Sequence, residues 1–107
     1  RTMLQLEYTT PLPKLQEFCD RIRYQIQLNP MIQKEDHSVT IYELGHSSID
    51  ILLTIFFVTG DPKVELGQRH VFILEILKIA EELEVKFAYP TQTLYLEGGG
   101  RVPTEVV

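Results

Sequence analysis

Tryptophan is absent from this 107-residue chain, cysteine occurs once, and basic residues are outnumbered by acidic ones, 10 against 15. A single thiol, Cys19, excludes an internal disulfide. It falls on the apolar stripe of a predicted helix, where a free thiol behaves as a small hydrophobe, and a reducing compartment is expected. The longest apolar runs, residues 55–58 and 71–74, fall far short of the ~20 residues that cross a bilayer, so no membrane contact is expected from this segment itself. No secretory leader pattern is visible. With a net charge of -5 and the Lys and Arg scattered along the chain, there is no phosphate-neutralising surface, and nucleic acid is not an expected partner.

Catalytic patterns are equally scarce. His37, His46 and His70 lack the spacing of a zinc site. Ser47 and Ser48 adjoin His46, but no nucleophile elbow joins a strand to a helix, and both serines read as turn formers. Gly98, Gly99 and Gly100 are followed by neither Lys-Ser, Lys-Thr nor a helix, so they form a linker and not a phosphate-binding loop. The carboxylates Glu81, Glu82 and Glu84 read as a solvated face that Lys78 can neutralise, as Glu17 can pair with Arg21. No catalytic, cofactor-binding or metal-binding residue is assigned, no cofactor is expected, and the chain is read as non-enzymatic.

What is present is a core. At 44% hydrophobic and 23% charged, a chain of this length forms one globular domain that buries roughly 60 to 70% of its unfolded surface. Met3 to Tyr8 alternates as a half-buried strand, with Leu4, Leu6 and Tyr8 on one side. A helix follows the break at Thr10-Pro11, its stripe being Leu15, Phe18, Cys19, Ile22 and Ile26, and Asn29-Pro30 stops it. Strands over 39–44 and 48–58 form a hairpin through Gly45-His46-Ser47, where glycine is expected to supply a positive φ. Glu43 and Asp50 face one another across it, which calls for an exposed face or a basic partner. In the third strand Ile49, Ile51, Leu53, Ile55 and Phe57 line one face. Leu52, Phe56 and Val58 leave the other face apolar too, so both faces call for cover.

A second helix spans 64–83. Leu66, Ile73, Ile76, Leu77, Ala80 and Leu83 form a stripe suited to dock on the sheet, while Val71, Phe72, Leu74 and Ile79 lie off it. A helix that covers one face of a small sheet should be polar outside, so the surplus meets either a neighbouring element or another subunit. A last alternating segment, Gln92, Thr93, Leu94, Tyr95 and Leu96, follows Tyr89-Pro90. It either completes the sheet as an edge or leaves the domain. The β-α-β-β-α-β order gives an α+β, ferredoxin-like sandwich over residues 1–97 with two helices on one face, and 98–107 form a flexible tail. The opening Arg1-Thr2-Met3, already strand-like, reads as a piece of a longer protein. The oligomer-interface candidates are Val71, Phe72, Leu74, Ile79, Gln92, Thr93, Leu94, Tyr95 and Leu96.

Two segments, Glu43-Leu44-Gly45-His46-Ser47-Ser48-Ile49 and Phe87-Ala88-Tyr89-Pro90-Thr91-Gln92-Thr93, in this order and spacing, resemble the C-terminal cytoplasmic domain of small-conductance mechanosensitive channels of the MscS family. The resemblance runs from about Leu4 to Leu96. It implies the cytoplasmic vestibule of an inner-membrane channel that opens under membrane tension and releases solutes on osmotic downshock, a homoheptamer attached to upstream membrane and middle domains. It also implies that the terminal strands of several subunits close a small parallel barrel. A ferredoxin-like domain that binds a small metabolite at a dimer interface is the alternative, because this architecture hosts many functions.

Overall fold

A computed structural model of the chain describes residues 1–88. Within them the order is β1 (Thr2–Glu7), α1 (Leu12–Leu28), β2 (Ser38–Leu44), β3 (Ser48–Thr54) and α2 (Pro62–Leu83). The fold is α+β: a three-stranded antiparallel sheet in the order β1-β3-β2, with two helices. The expected fourth strand at 92–96 and the tail at 98–107 lie outside the described residues.

Central β3 sets the register. Ile51 lies between Leu4 and Ile41, and Leu53 between Thr2 and Val39. Because side chains alternate across a strand, Ile49, Ile51 and Leu53 share one face, and they join Leu6, Val39 and the buried residues of both helices in one core. Ile55 and Phe57 pack at its edge. The strand itself stops at Thr54, four residues earlier than expected: the chain then turns to pair with 31–33, where Val58 N–H donates to the Met31 carbonyl at 2.8 Å and Gln33 N–H to the Phe56 carbonyl at 2.8 Å. On the opposite face, Met3 and Phe56 are exposed and Leu52 is half-buried.

The two helices are set differently. In α1 the buried residues are Leu15, Phe18, Cys19, Ile22 and Ile26, the stripe that helical spacing predicts. Pro11 precedes its first turn in extended geometry, and the Thr10 hydroxyl donates to the Glu7 carbonyl instead of capping the helix. At the other end the Lys34 ammonium reaches back to the carbonyls of Ile26, Asn29 and Ile32, occupying acceptors that the helix terminus leaves free. The second helix starts at an Asp61 cap, whose carboxylate accepts from the Lys63 N–H at 2.9 Å, with Pro62 in the first turn. It ends with Glu84 in the left-handed region and the Val85 N–H donating back to Ala80, a closure of the last turn of the kind expected at helix C-termini.

The face that α2 buries is not the expected one. Phe72, Ile76, Ile79 and Ala80 are in the core, whereas Leu66, Ile73 and Leu77 are exposed. The two sets share Ile76 and Ala80, so the helix is rolled about its axis relative to the expected stripe. The cause is that α2 is apolar around most of its girth, so that periodicity alone does not select a face; docking against α1 and the sheet does.

Candidate functional site

Among the described residues the candidate surfaces are the outside of α2, the outer edge of β1 and the β2–β3 hairpin. Among the interface candidates, Phe72 and Ile79 are 4% and 1% exposed. They belong to the domain's own core and leave the exterior set. Val71 and Leu74 do lie outside, each about half exposed, and Ile73 and Leu77, assigned to the docking stripe from sequence, stand beside them. Together these four residues form an apolar band on one flank of α2. Gln92, Thr93, Leu94, Tyr95 and Leu96 fall outside the described residues.

The edge of β1 carries the next feature. After Glu84 the chain returns antiparallel to β1, with Phe87 bridging Leu6. The Glu7 N–H donates to the Lys86 carbonyl at 3.0 Å, and the Ala88 N–H donates to the Gln5 carbonyl at 2.8 Å. Phe87 is held from beneath by Phe18 of α1, edge-to-face at 6.3 Å between ring centres. Residues 86–88 therefore lie along the outer edge of β1, held by two backbone bonds and the Phe18–Phe87 contact.

In the hairpin, Glu43 and Asp50 are register partners, as expected, yet neither condition expected of that pair holds for Asp50. Its side chain is buried, and its hydrogen-bond donor is the Ser48 hydroxyl, 2.7 Å from Oδ1. Ser48 is thus a structural hydroxyl and not a nucleophile beside His46. Gly45 is required for room and not for a left-handed φ: a Cβ there would stand 2.6 Å from Ser48 Oγ and 3.2 Å from the Asp50 carboxylate. We expect Gly45→Ala to destabilise the domain, and Ser48→Ala, which strips a buried carboxylate of its donor, to cost about 1 to 3 kcal/mol. Because the added Cβ collides first with the Ser48 oxygen, Gly45→Ala should cost less in the Ser48→Ala background. Urea melts of the four proteins in this cycle decide it, and strictly additive costs would reject the collision.

The charges of the helices pair along them, Arg23 with Asp20 at 2.7 Å and Arg69 with Glu65 at 2.8 Å, and also across the fold. Arg21, expected to pair with Glu17, instead donates to Glu82 of α2, and Lys14 pairs with Glu84 at 3.4 Å. The hydrogen bond from Arg21 holds the Glu82 carboxyl below its ordinary range, with the Arg21 and Lys78 charges acting in the same direction. These are solvated pairs, which contribute little to stability, but they explain a carboxylate run at the end of a helix that opposes its dipole. Burial pushes the Cys19 thiol up, so it stays protonated and is a poor nucleophile or ligand. Among the described residues no three His, Cys, Asp or Glu side chains could hold a metal ion, and no helix is long and apolar enough to cross a membrane.

Two comparisons bear on this arrangement. Residues 2–87 match the family described as the C-terminal part of the mechanosensitive ion channel MscS. An uncharacterised MscS family protein of Aquifex aeolicus (strain VF5) is 26% identical over 98 residues, which make up 91% of this chain and 27% of that relative. The chain thus spans about a quarter of the relative's length. The matched region includes both helices, all three strands and the Phe87 bridge, and the chain belongs to the MscS mechanosensitive ion channel family as its C-terminal domain.

Proposed function

We propose that the domain is a non-enzymatic wall and assembly element of the cytoplasmic vestibule of a tension-gated channel that releases solutes on osmotic downshock. In this reading it works as one copy of a homoheptamer, on the cytoplasmic side of the membrane, joined to upstream membrane and middle domains. Val71 and Leu74 contribute its exterior contacts, and Gln92, Thr93, Leu94, Tyr95 and Leu96 its strand contacts. The observation that carries the reading is that α2 completes the domain's own core through Phe72, Ile76, Ile79 and Ala80 and still presents Val71, Ile73, Leu74 and Leu77 to the outside. A helix with nothing further to cover has no need of that second apolar band.

The strand edge supports the same reading. Phe87 bridges Leu6 and Ala88 bonds to Gln5, and two residues later the sequence has Pro90, which has no N–H to give to a ladder. A proline at this point suits the reading in which 92–96 pair with other copies. An alternating strand of five residues is marginal unless paired, and copies of itself can supply the partners.

The test is crosslinking of the full-length protein in membranes, with and without a stop codon at Gln92. Truncation should deplete the highest crosslinked species and lower the temperature at which the oligomer dissociates. An unchanged ladder and dissociation temperature would refute the role given to the strand.

A further inference from the structure

The two edges of the sheet are finished differently. Along β1 the outer backbone groups meet residues 86–88. Along β2, the opposite edge, no further strand pairs among the described residues. The Arg23 guanidinium donates to the Val39 carbonyl at 2.6 Å, which places the backbone groups of Val39 on the side away from β3. Counting back from the Gly45–Ser48 bond through the bulge between Ile41 and Glu43 gives the same phase. Because these groups alternate along an antiparallel strand, the N–H and carbonyl of Ile41 face outward too. Edge strands are commonly blunted by proline or lysine. The seven residues Ser38–Leu44 contain neither, and Ile41, Tyr42 and Leu44 are exposed along them.

An open cleft of about 560 Å³ runs between this edge and α1, lined by Leu15, Gln16, Cys19, Asp20, Arg23 and Ile41, among others. Leu15 and Cys19 belong to the core and give the cleft an apolar base. A strand edge beside a helix is a setting in which an extended peptide binds by strand addition, where main-chain bonds supply affinity and the ground under alternate side chains supplies selectivity. The charge around the cleft indicates which peptide. Glu35, Asp36 and Glu43 are exposed just before β2 and within it, and the Asp20 side chain is 71% exposed at the rim. The cations of this region are already engaged, Arg23 by Asp20 and the Val39 carbonyl, Lys34 by the carbonyls of Ile26, Asn29 and Ile32.

We propose that the β2 edge and this cleft dock an extended basic segment of a partner protein, which adds to the sheet as a further strand. Its alternate apolar side chains rest on Leu15, Cys19 and Ile41, and its lysines or arginines face the carboxylates that flank the edge. Arg23 restrains the site, because an incoming N–H that donates to the Val39 carbonyl must displace the guanidinium, which also releases Asp20 to an incoming cation. The site lies on the opposite edge of the sheet from residues 86–88, so it stands or falls apart from the self-association proposed above.

The probe is a fluorescein-labelled peptide of alternating lysine and valine, as long as β2 at seven residues. Its anisotropy titration with the 107-residue chain should saturate, and in the complex the Val39 and Ile41 amides should exchange several-fold more slowly than in the free protein. A peptide of the same composition with its lysines and valines in separate blocks should bind far more weakly. Ile41→Pro removes an outward N–H and spares the ladder to β3, so it should weaken binding by about tenfold at an unchanged Tm. Arg23→Met, by freeing the Val39 carbonyl and Asp20, should tighten it. Absence of saturation, equal binding of the block peptide, full affinity in Ile41→Pro or lowered affinity in Arg23→Met overturns the proposal, since general attraction of positive charge or a different site then accounts for the signal. Val39 and Ile41 amides already protected in the free protein also overturn it: protection lost on dilution assigns the edge to a second copy, and protection that persists assigns it to the chain itself. Should Ile41→Pro fail to fold, the peptide methylated at every backbone nitrogen takes its place, and unchanged affinity of that peptide rejects strand addition.

Discussion

Leu53→Asp leaves the chain without a cooperative unfolding transition at 25 °C. Leu53 sits in the central strand between Thr2 and Val39 and is 5% exposed, its side chain on the face covered by both helices. The substitution forfeits the burial of a leucine, about 1.5 to 3 kcal/mol. It also buries a carboxylate beside Ile51 and Phe72, a desolvation worth several kcal/mol that Arg1 and Arg69, which line the same pocket as Leu53, offset only in part. A domain of this size has only about 5 to 15 kcal/mol in total. The informative control is Leu52→Asp, one residue along, whose side chain points to the uncovered face and is half-buried. Since a one-residue slip exchanges the two faces of a strand, circular-dichroism melts of the two variants read the register directly. A folded Leu53→Asp beside an unfolded Leu52→Asp would reverse it.

That contrast also marks what sequence patterning resolves and what it does not. The stripe of α1 was legible because its polar and apolar residues segregate cleanly, leaving one orientation in which Leu15, Phe18, Cys19, Ile22 and Ile26 are all buried. The inner face of β3 was legible on period two, because Ile49, Ile51 and Leu53 fill it without a polar residue while Asp50 and Thr54 interrupt the other face. In α2 the apolar residues from Val71 to Ile79 occupy most of the circumference, so several orientations bury similar area. The choice falls to contacts distant in sequence, and Phe72 and Ile79 go inside where Ile73 and Leu77 were expected. Ion pairs were misread on similar grounds. Local spacing proposes Glu17 for Arg21, but the packing of α1 on α2 brings up Glu82, sixty-one residues away.

The hairpin shows a different limit. Its motif was recognised, but the physical reason for its residues was not. Gly45, Ser48 and Asp50 form one packed unit, in which the glycine supplies space for a hydroxyl-bonded carboxylate. Nothing in residue spacing signals that an aspartate on the nominally open face of a sheet is buried. Only the coincidence of a glycine, a serine and an acid within six positions hints at it. The outer band of α2 carries a related lesson. Surplus apolar surface was visible in the sequence as an amount, while its location required the orientation of the helix.

Phe18→Ala should cost about 3 to 5 kcal/mol, the range for truncating a fully buried aromatic side chain. Phe18 is fully buried and meets Phe87 edge-to-face, at 75° between ring planes. It is therefore both a core residue of α1 and the support under the segment that pairs with the edge of β1. Phe87→Ala should be milder, because Phe87 is only partly buried, and a double-mutant cycle should return a coupling of about 0.5 to 1.5 kcal/mol for the ring pair. Global stability alone does not show that the pair anchors the exiting chain. Hydrogen exchange does: the Glu7 and Ala88 amides bond across this edge, and local opening there is governed by what holds Phe87 down. In Phe87→Ala these two amides should lose protection by more than the global destabilisation accounts for, while amides in the middle of α1 slow or speed only with the whole domain. A zero coupling energy, or uniform loss of protection across the domain, would mean that the edge is held by its backbone bonds alone and that the aromatic pair only fills the core.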